Sequence, residues 1–162
     1  MNVYSVDKII TEARHLTKEY REAAGKTLAI TGEIAINDAI RLLDMSVASE
    51  LNSGFDAEME YQHRKLKVQI KGRAIINNKR SGHRLGQLKL EQTWDAIVLV
   101  IMDEDYVTRE IYFADRETIV EAISESKNKR CSISVARFRI IGALLWTLEN
   151  GLENDGYWSN AD

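Results

Sequence analysis

Apolar residues first recur with a helical period. Val6, Ile9, Ile10, Ala13, Leu16 and Tyr20 share one spacing between Ser5 and Ala24, and Gly25 closes that segment. A second helix is predicted from Gly32 to Asp44, with Thr31 as N-cap and a stripe of Ala35, Ile36, Ala39, Ile40, Leu42 and Leu43. The period then drops to two. Phe55, Ala57, Met59 and Tyr61 alternate with acids, and Leu66, Val68 and Ile70 alternate with Lys67, Gln69 and Lys71, which predicts a β-hairpin turning near Gln62 to Arg64. Trp94 to Met102 reads as a central strand buried on both faces, with Glu110 to Ala114 as its neighbour. Arg116 to Ser124 reads as a short helix. Ser134 is expected to cap a longer one, lined by Phe138, Ile141, Leu145 and Leu148.

The order predicts an α/β fold, a mixed sheet covered by helices. One domain is expected over 1–150: an N-terminal helix (1–25), a core carrying the hairpin (29–115) and C-terminal helices (116–150), with 151–162 as a mobile tail. The longest apolar run, Ala96 to Met102, is too short to span a bilayer, and MNVYSVDKII lacks the pattern of a signal peptide. A single cysteine, Cys131, excludes an internal disulfide framework, so a cytoplasmic protein is expected.

The net charge of −3 argues against a polyanion partner, but its distribution reverses that argument. Nine Lys or Arg and no acid lie between Gln62 and Leu90, leaving 13 basic residues to face all 25 acids elsewhere. The loop Asn77 to Gly86 lies within this basic stretch, and Ser126 to Leu148 is also free of acids.

If paired hairpin residues sum to about 126, Asp56 falls opposite Ile70 within one residue, and so beside Gln69 or Lys71. Glu33 sits at the N-terminal edge of the predicted stripe of the second helix, where an acid needs a partner. Glu33, Asp56, Gln69 and Lys71 are thereby candidates to meet.

Glu33 on a helix, then GFDAE (Gly54 to Glu58) and VQIKGR (Val68 to Arg73) on a hairpin, resembles the PD-(D/E)xK, or restriction-endonuclease-like, nuclease superfamily. The segments WDAIVLVIMDEDY, EIYFADR and SISVARFRIIG look like a family of short bacterial proteins with this core. The resemblance implies a restriction-endonuclease-like core and a Mg²⁺-dependent endonuclease of DNA, with Mn²⁺ as substitute and RNA left open. Asp56 would bind the metal directly, with the Gln69 amide oxygen and the Ile70 carbonyl. Glu33 would act through water, and Lys71 would orient the attacking water. Gln69 stands where most members have a carboxylate, and Glu58 is a candidate for the missing charge.

Lys67, Arg73, Lys79, Arg80, Arg84, Arg137 and Arg139 are the expected phosphate contacts. A homodimer would supply the two sites that double-strand cutting needs. The alternative is an inactive nucleic-acid-binding or assembly subunit of the same fold.

Other signals carry less. AAGKT (Ala23 to Thr27) follows a helix rather than a strand, unlike a P-loop, and His15, His63 and His83 have no metal-ligand spacing.

Overall fold

The computed structural model describes residues 5–25, 28, 30–48, 54–76, 83–126 and 131–153. Among them, four helices and one mixed seven-stranded sheet form an α/β fold. Helices α1 (Val6–Ala24) and α2 (Thr31–Leu42) precede β1 (Ser46–Val47), β2 (Ala57–Tyr61), β3 (Arg64–Ala74), β4 (Ala96–Met102) and β5 (Thr108–Asp115). Helices α3 (Arg116–Glu125) and α4 (Val135–Ile141) follow, then β6 (Ala143–Thr147) and β7 (Gly151–Leu152). The strands lie in sequence order, and every neighbouring pair is antiparallel except β3–β4. No helix among the described residues is long and apolar enough to cross a membrane.

Alternation along the strands divides the interior into two layers. On one face Val68 and Ile70 of β3 join Ala96, Val98, Val100 and Met102 of β4 beneath α2. On the other, Ile97, Leu99 and Ile101 pack with Leu85, Leu88, Trp94 and residues of α3 and α4. All seven residues of β4 are buried, as its unbroken apolar run predicts.

Helix α2 lies directly on β3. A Cβ at Gly72 would stand 2.5 Å from the Ala35 Cβ and 3.1 Å from the Thr31 carbonyl oxygen, so only glycine permits this approach. Helix α1 is held from outside by Arg14, which donates to the Tyr106 carbonyl (2.6 Å) and to Asp38 (2.7 Å). Asp38, buried in α2, also accepts from Thr108 Oγ1 (2.7 Å).

Several expectations meet corrections. Thr31 is the first residue of α2 rather than its cap; Ile30 occupies the cap position without a side-chain bond. The buried face of that helix is Ile34, Ala35, Asp38 and Ala39, with Ile36 and Ile40 only partly covered. Ser134 does cap α4, accepting from the Arg137 N–H (3.1 Å), but the helix stops at Ile141. At Gly142 the backbone becomes extended, and a Cβ there would lie 2.9 Å from the carbonyl oxygens of both Phe113 and Phe138, so glycine is required. Beyond it, Ala143–Thr147 pairs with β5, and Leu145 belongs to a strand. Gly151 and Leu152 of the expected mobile tail pair with Thr147 and Trp146; residues 154–162 lie outside the described residues.

Candidate functional site

The hairpin turns on Gln62 and His63, both at positive φ (49° and 61°), a two-residue loop whose twist suits antiparallel strands. Its register, Ala57 opposite Val68, sums to 125 and differs by one from the sequence expectation. Asp56 therefore stands beside Gln69, one step beyond the last pair. Its N–H donates to the Val68 carbonyl (2.8 Å), and its Oδ2 accepts from the Ile70 N–H (2.8 Å). Where β2 ends, a carboxylate has replaced the missing main-chain acceptor. A strand residue directs its N–H and C=O to the same side, so the Ile70 carbonyl also points past the end of the β2 ladder.

Asp95 does the same on the opposite flank of β3. Its Oδ2 accepts from the Lys67 N–H (2.8 Å), and its own N–H donates to the Lys67 carbonyl (2.7 Å). Each flank of β3 thus carries one acid that completes the ladder.

Gln69 and Lys71 share the β3 face opposite α2. Gln69 is buried, and its Nε2 donates to the Gly54 carbonyl (2.7 Å) and to Gln92 Oε1 (3.2 Å). With the NH₂ so held, Oε1 is the atom this side chain has for a cation. A carboxylate here would face the Gly54 carbonyl and would require Gln92 to turn its amide, which favours an amide at this position. Lys71 is half-buried, and desolvation pushes its ammonium below the usual lysine value. Asp56 opposes that shift, while Arg73 and Lys89 reinforce it.

Asp56, Gln69 and Lys71 are therefore brought together. Glu33 is not. It is exposed, on the side of α2 turned away from Ile34, Ala35, Asp38 and Ala39, and α2 covers the other sheet face. Glu58 pairs with Lys65 at 3.6 Å. Among the described residues, no group of three or more His, Cys, Asp or Glu is placed to hold a metal.

The basic residues divide by partner. The Lys67 Nζ lies 5.3 Å from the centre of the Phe55 ring. Arg73 donates from Nε to the Arg84 carbonyl (2.6 Å), and burial lowers its pKa. Arg84 donates to Ser132 Oγ and to its carbonyl, each at 3.0 Å. Arg137 pairs with Glu125 (3.1 Å), and Arg139 with Glu110 (3.1 Å) and the Tyr112 hydroxyl (3.2 Å). These last four each have a protein partner in the fold, beside the phosphate contacts expected of them. Lys79 and Arg80 lie outside the described residues.

Sequence reading missed the contribution of the β3–β4 connection. Gln92 orients Gln69, and Lys89 adds positive charge near Lys71. Arg116 fixes that connection, donating to the carbonyls of Leu90, Gln92 (3.1 Å) and Trp94 (2.9 Å), with its Cζ 4.4 Å from the Trp94 ring centre. No local pattern marks these residues; Lys89 alone was visible, as part of the basic run.

The chain matches no protein-family model and no curated protein.

Proposed function

We propose that the chain is a metal-dependent phosphodiesterase of nucleic acid, an endonuclease on a restriction-endonuclease-like core. The observation that carries this reading is the grouping of Asp56, Gln69 and Lys71 where β2 leaves β3. The donors are a carboxylate, an amide oxygen and a main-chain carbonyl, all hard oxygens of the kind Mg²⁺ takes. Asp56, Gln69 Oε1 and the Ile70 carbonyl would hold it, and substrate phosphate and water would complete its shell. Such a cation lowers the pKa of bound water and offsets charge gathering on the phosphate.

The chain supplies the rest. The strand-end bond to Ile70 N–H fixes the Asp56 carboxylate, and Gly54 with Gln92 fixes the amide plane of Gln69. Lys71 places a cation beside Asp56 that is easier to deprotonate than an ordinary lysine, suited to orienting a water and sharing its proton. With one carboxylate, metal affinity depends strongly on the substrate's own oxygens.

A second reading, a binding subunit without chemistry, is favoured by the structural tasks that Asp56 and Gln69 already perform. Nicking of supercoiled DNA with Mg²⁺ or Mn²⁺ separates the two. The wild-type protein is expected to nick, and Lys71→Met to lose at least about 100-fold in rate. Equal nicking by the variant, or nicking in EDTA, would overturn the proposal; metal-independent binding without any nicking selects the second reading.

A further inference from the structure

A cavity of about 370 Å³ opens between α3, the start of α4 and the segment entering at Arg84, away from Asp56 and Lys71. Its polar lining comprises Arg84, Glu125, Ser126, Ser132, Ser134 and Arg137. Among the described residues, Arg84 commits Nε and Nη2 to Ser132, and the hydrogens of Nη1 have no partner. Among the described residues, Arg137 gives Nη2 to Glu125, the one acid in the described lining, and its other guanidinium hydrogens have no partner. The hydroxyl oxygens of Ser132 and Ser134 already accept, from Arg84 Nε (3.0 Å) and from the Arg137 N–H (3.1 Å). A hydroxyl oxygen that accepts in this way can also donate its own proton. Ser132 is itself 8% exposed, so its position is fixed by packing.

The lining is thus rich in donors carried by separate elements, and its acid is already paired. It asks for a ligand that only accepts, carries negative charge and presents oxygens in several directions. A planar carboxylate meets donors in one plane, whereas a phosphate meets them in three dimensions. A backbone phosphodiester carries a sugar on each side and cannot enter a concavity end-on. A monoester can, with Arg84 as its unopposed cation and Arg137, already shared with Glu125, as a second donor. We propose that this cavity binds a phosphate monoester, whether free phosphate, a nucleotide or the terminal phosphate of a nucleic-acid strand. The inference is independent of the metal-site reading.

The test measures binding in EDTA at low salt, where cleavage plays no part. The probes are inorganic phosphate, AMP, and one oligonucleotide bearing a 5′-phosphate, a 3′-phosphate or hydroxyl ends. Arg137→Gln and Ser132→Ala are the variants; the serine change guards against misfolding of the first. At least one phosphate-bearing probe should bind about tenfold more tightly to the wild type than to either variant. A phosphorylated oligonucleotide preferred over its hydroxyl-ended twin identifies a strand end as the source; binding of inorganic phosphate or AMP without that preference identifies a small phosphate. Either result supports the site. Absence of phosphate binding to the wild type, or binding unchanged in both variants, overturns it.

Discussion

Asp56 has two tasks that a pair of substitutions can separate. Its Oδ2 accepts from the N–H of Ile70, a residue only 4% exposed, and its carboxylate is the one negative charge among the proposed metal donors. A hydrogen bond to a charged acceptor contributes about 1.5–3 kcal/mol, against about 0.5–1.5 for a neutral one. Asn keeps an oxygen in place, and Asp56 is half-buried and partly screened, so Asp56→Asn should cost about 1 kcal/mol. That corresponds to about 2–4 °C in Tm for a chain of this length. Asp56→Ala strips the acceptor from a buried N–H and should cost about 1–3 kcal/mol. Urea unfolding measures both. Calorimetric titration with Mn²⁺ and plasmid nicking measure the other task, where Asn should be as damaging as Ala, with nicking reduced at least about 100-fold. A loss of about 1 kcal/mol in stability accounts for only about fivefold of any equilibrium. If Asp56→Asn binds Mn²⁺ and nicks like the wild type, Asp56 is a strand-end acceptor alone and the metal site is refuted.

The neighbouring residues give two further expectations. Gln69→Glu sets a carboxylate against the Gly54 carbonyl and Gln92, so it should destabilise the chain by about 1–3 kcal/mol in EDTA and recover with Mn²⁺; thermal melts with no metal-dependent recovery would contradict this. Lys71 has a folded pKa below 10.5, so folding carries its full burial penalty at pH values below that lowered pKa. As pH climbs from there toward 10.5, the folded state releases the proton first and stability rises. Unfolding midpoints across that alkaline window should rise more steeply for the wild type than for Lys71→Met, and equal slopes would contradict the assignment.

Local periodicity made much of this architecture legible. Strict alternation in AEMEY and LKVQIK fixed the hairpin to within one residue, because a sheet with a buried face tolerates no slip. The unbroken apolar run of β4 identified the centre of the sheet. Periodicity failed where the decisive contact is distant in sequence. Phe138, Ile141 and Leu145 keep helical spacing, yet Ala143 pairs with Phe113 and the chain switches to strand. The same limit applies to Glu33, since its position along α2 does not say which face of the sheet that helix covers. Arg84, Arg137 and Arg139 read in the sequence as phosphate contacts, and their protein partners Ser132, Glu125 and Glu110 come to them only through folding.

The single parallel pair has a consequence for the order of assembly. Antiparallel neighbours can be joined by a tight turn, but the chain leaving β3 must travel back along the sheet before it can enter β4. It returns across the face that carries Gln69 and Lys71, burying Leu85, Leu88 and Trp94 on the way. A chain that has closed only its β2–β3 hairpin already holds Asp56, Gln69 and Lys71 near one another. It lacks Gln92 to set the amide plane and Lys89 to shape the charge at Lys71, and Arg116 cannot clasp the connection until β4 and β5 are in place. The arrangement at this site is therefore complete only once the β3–β4 pairing, which joins residues well apart in sequence, has formed.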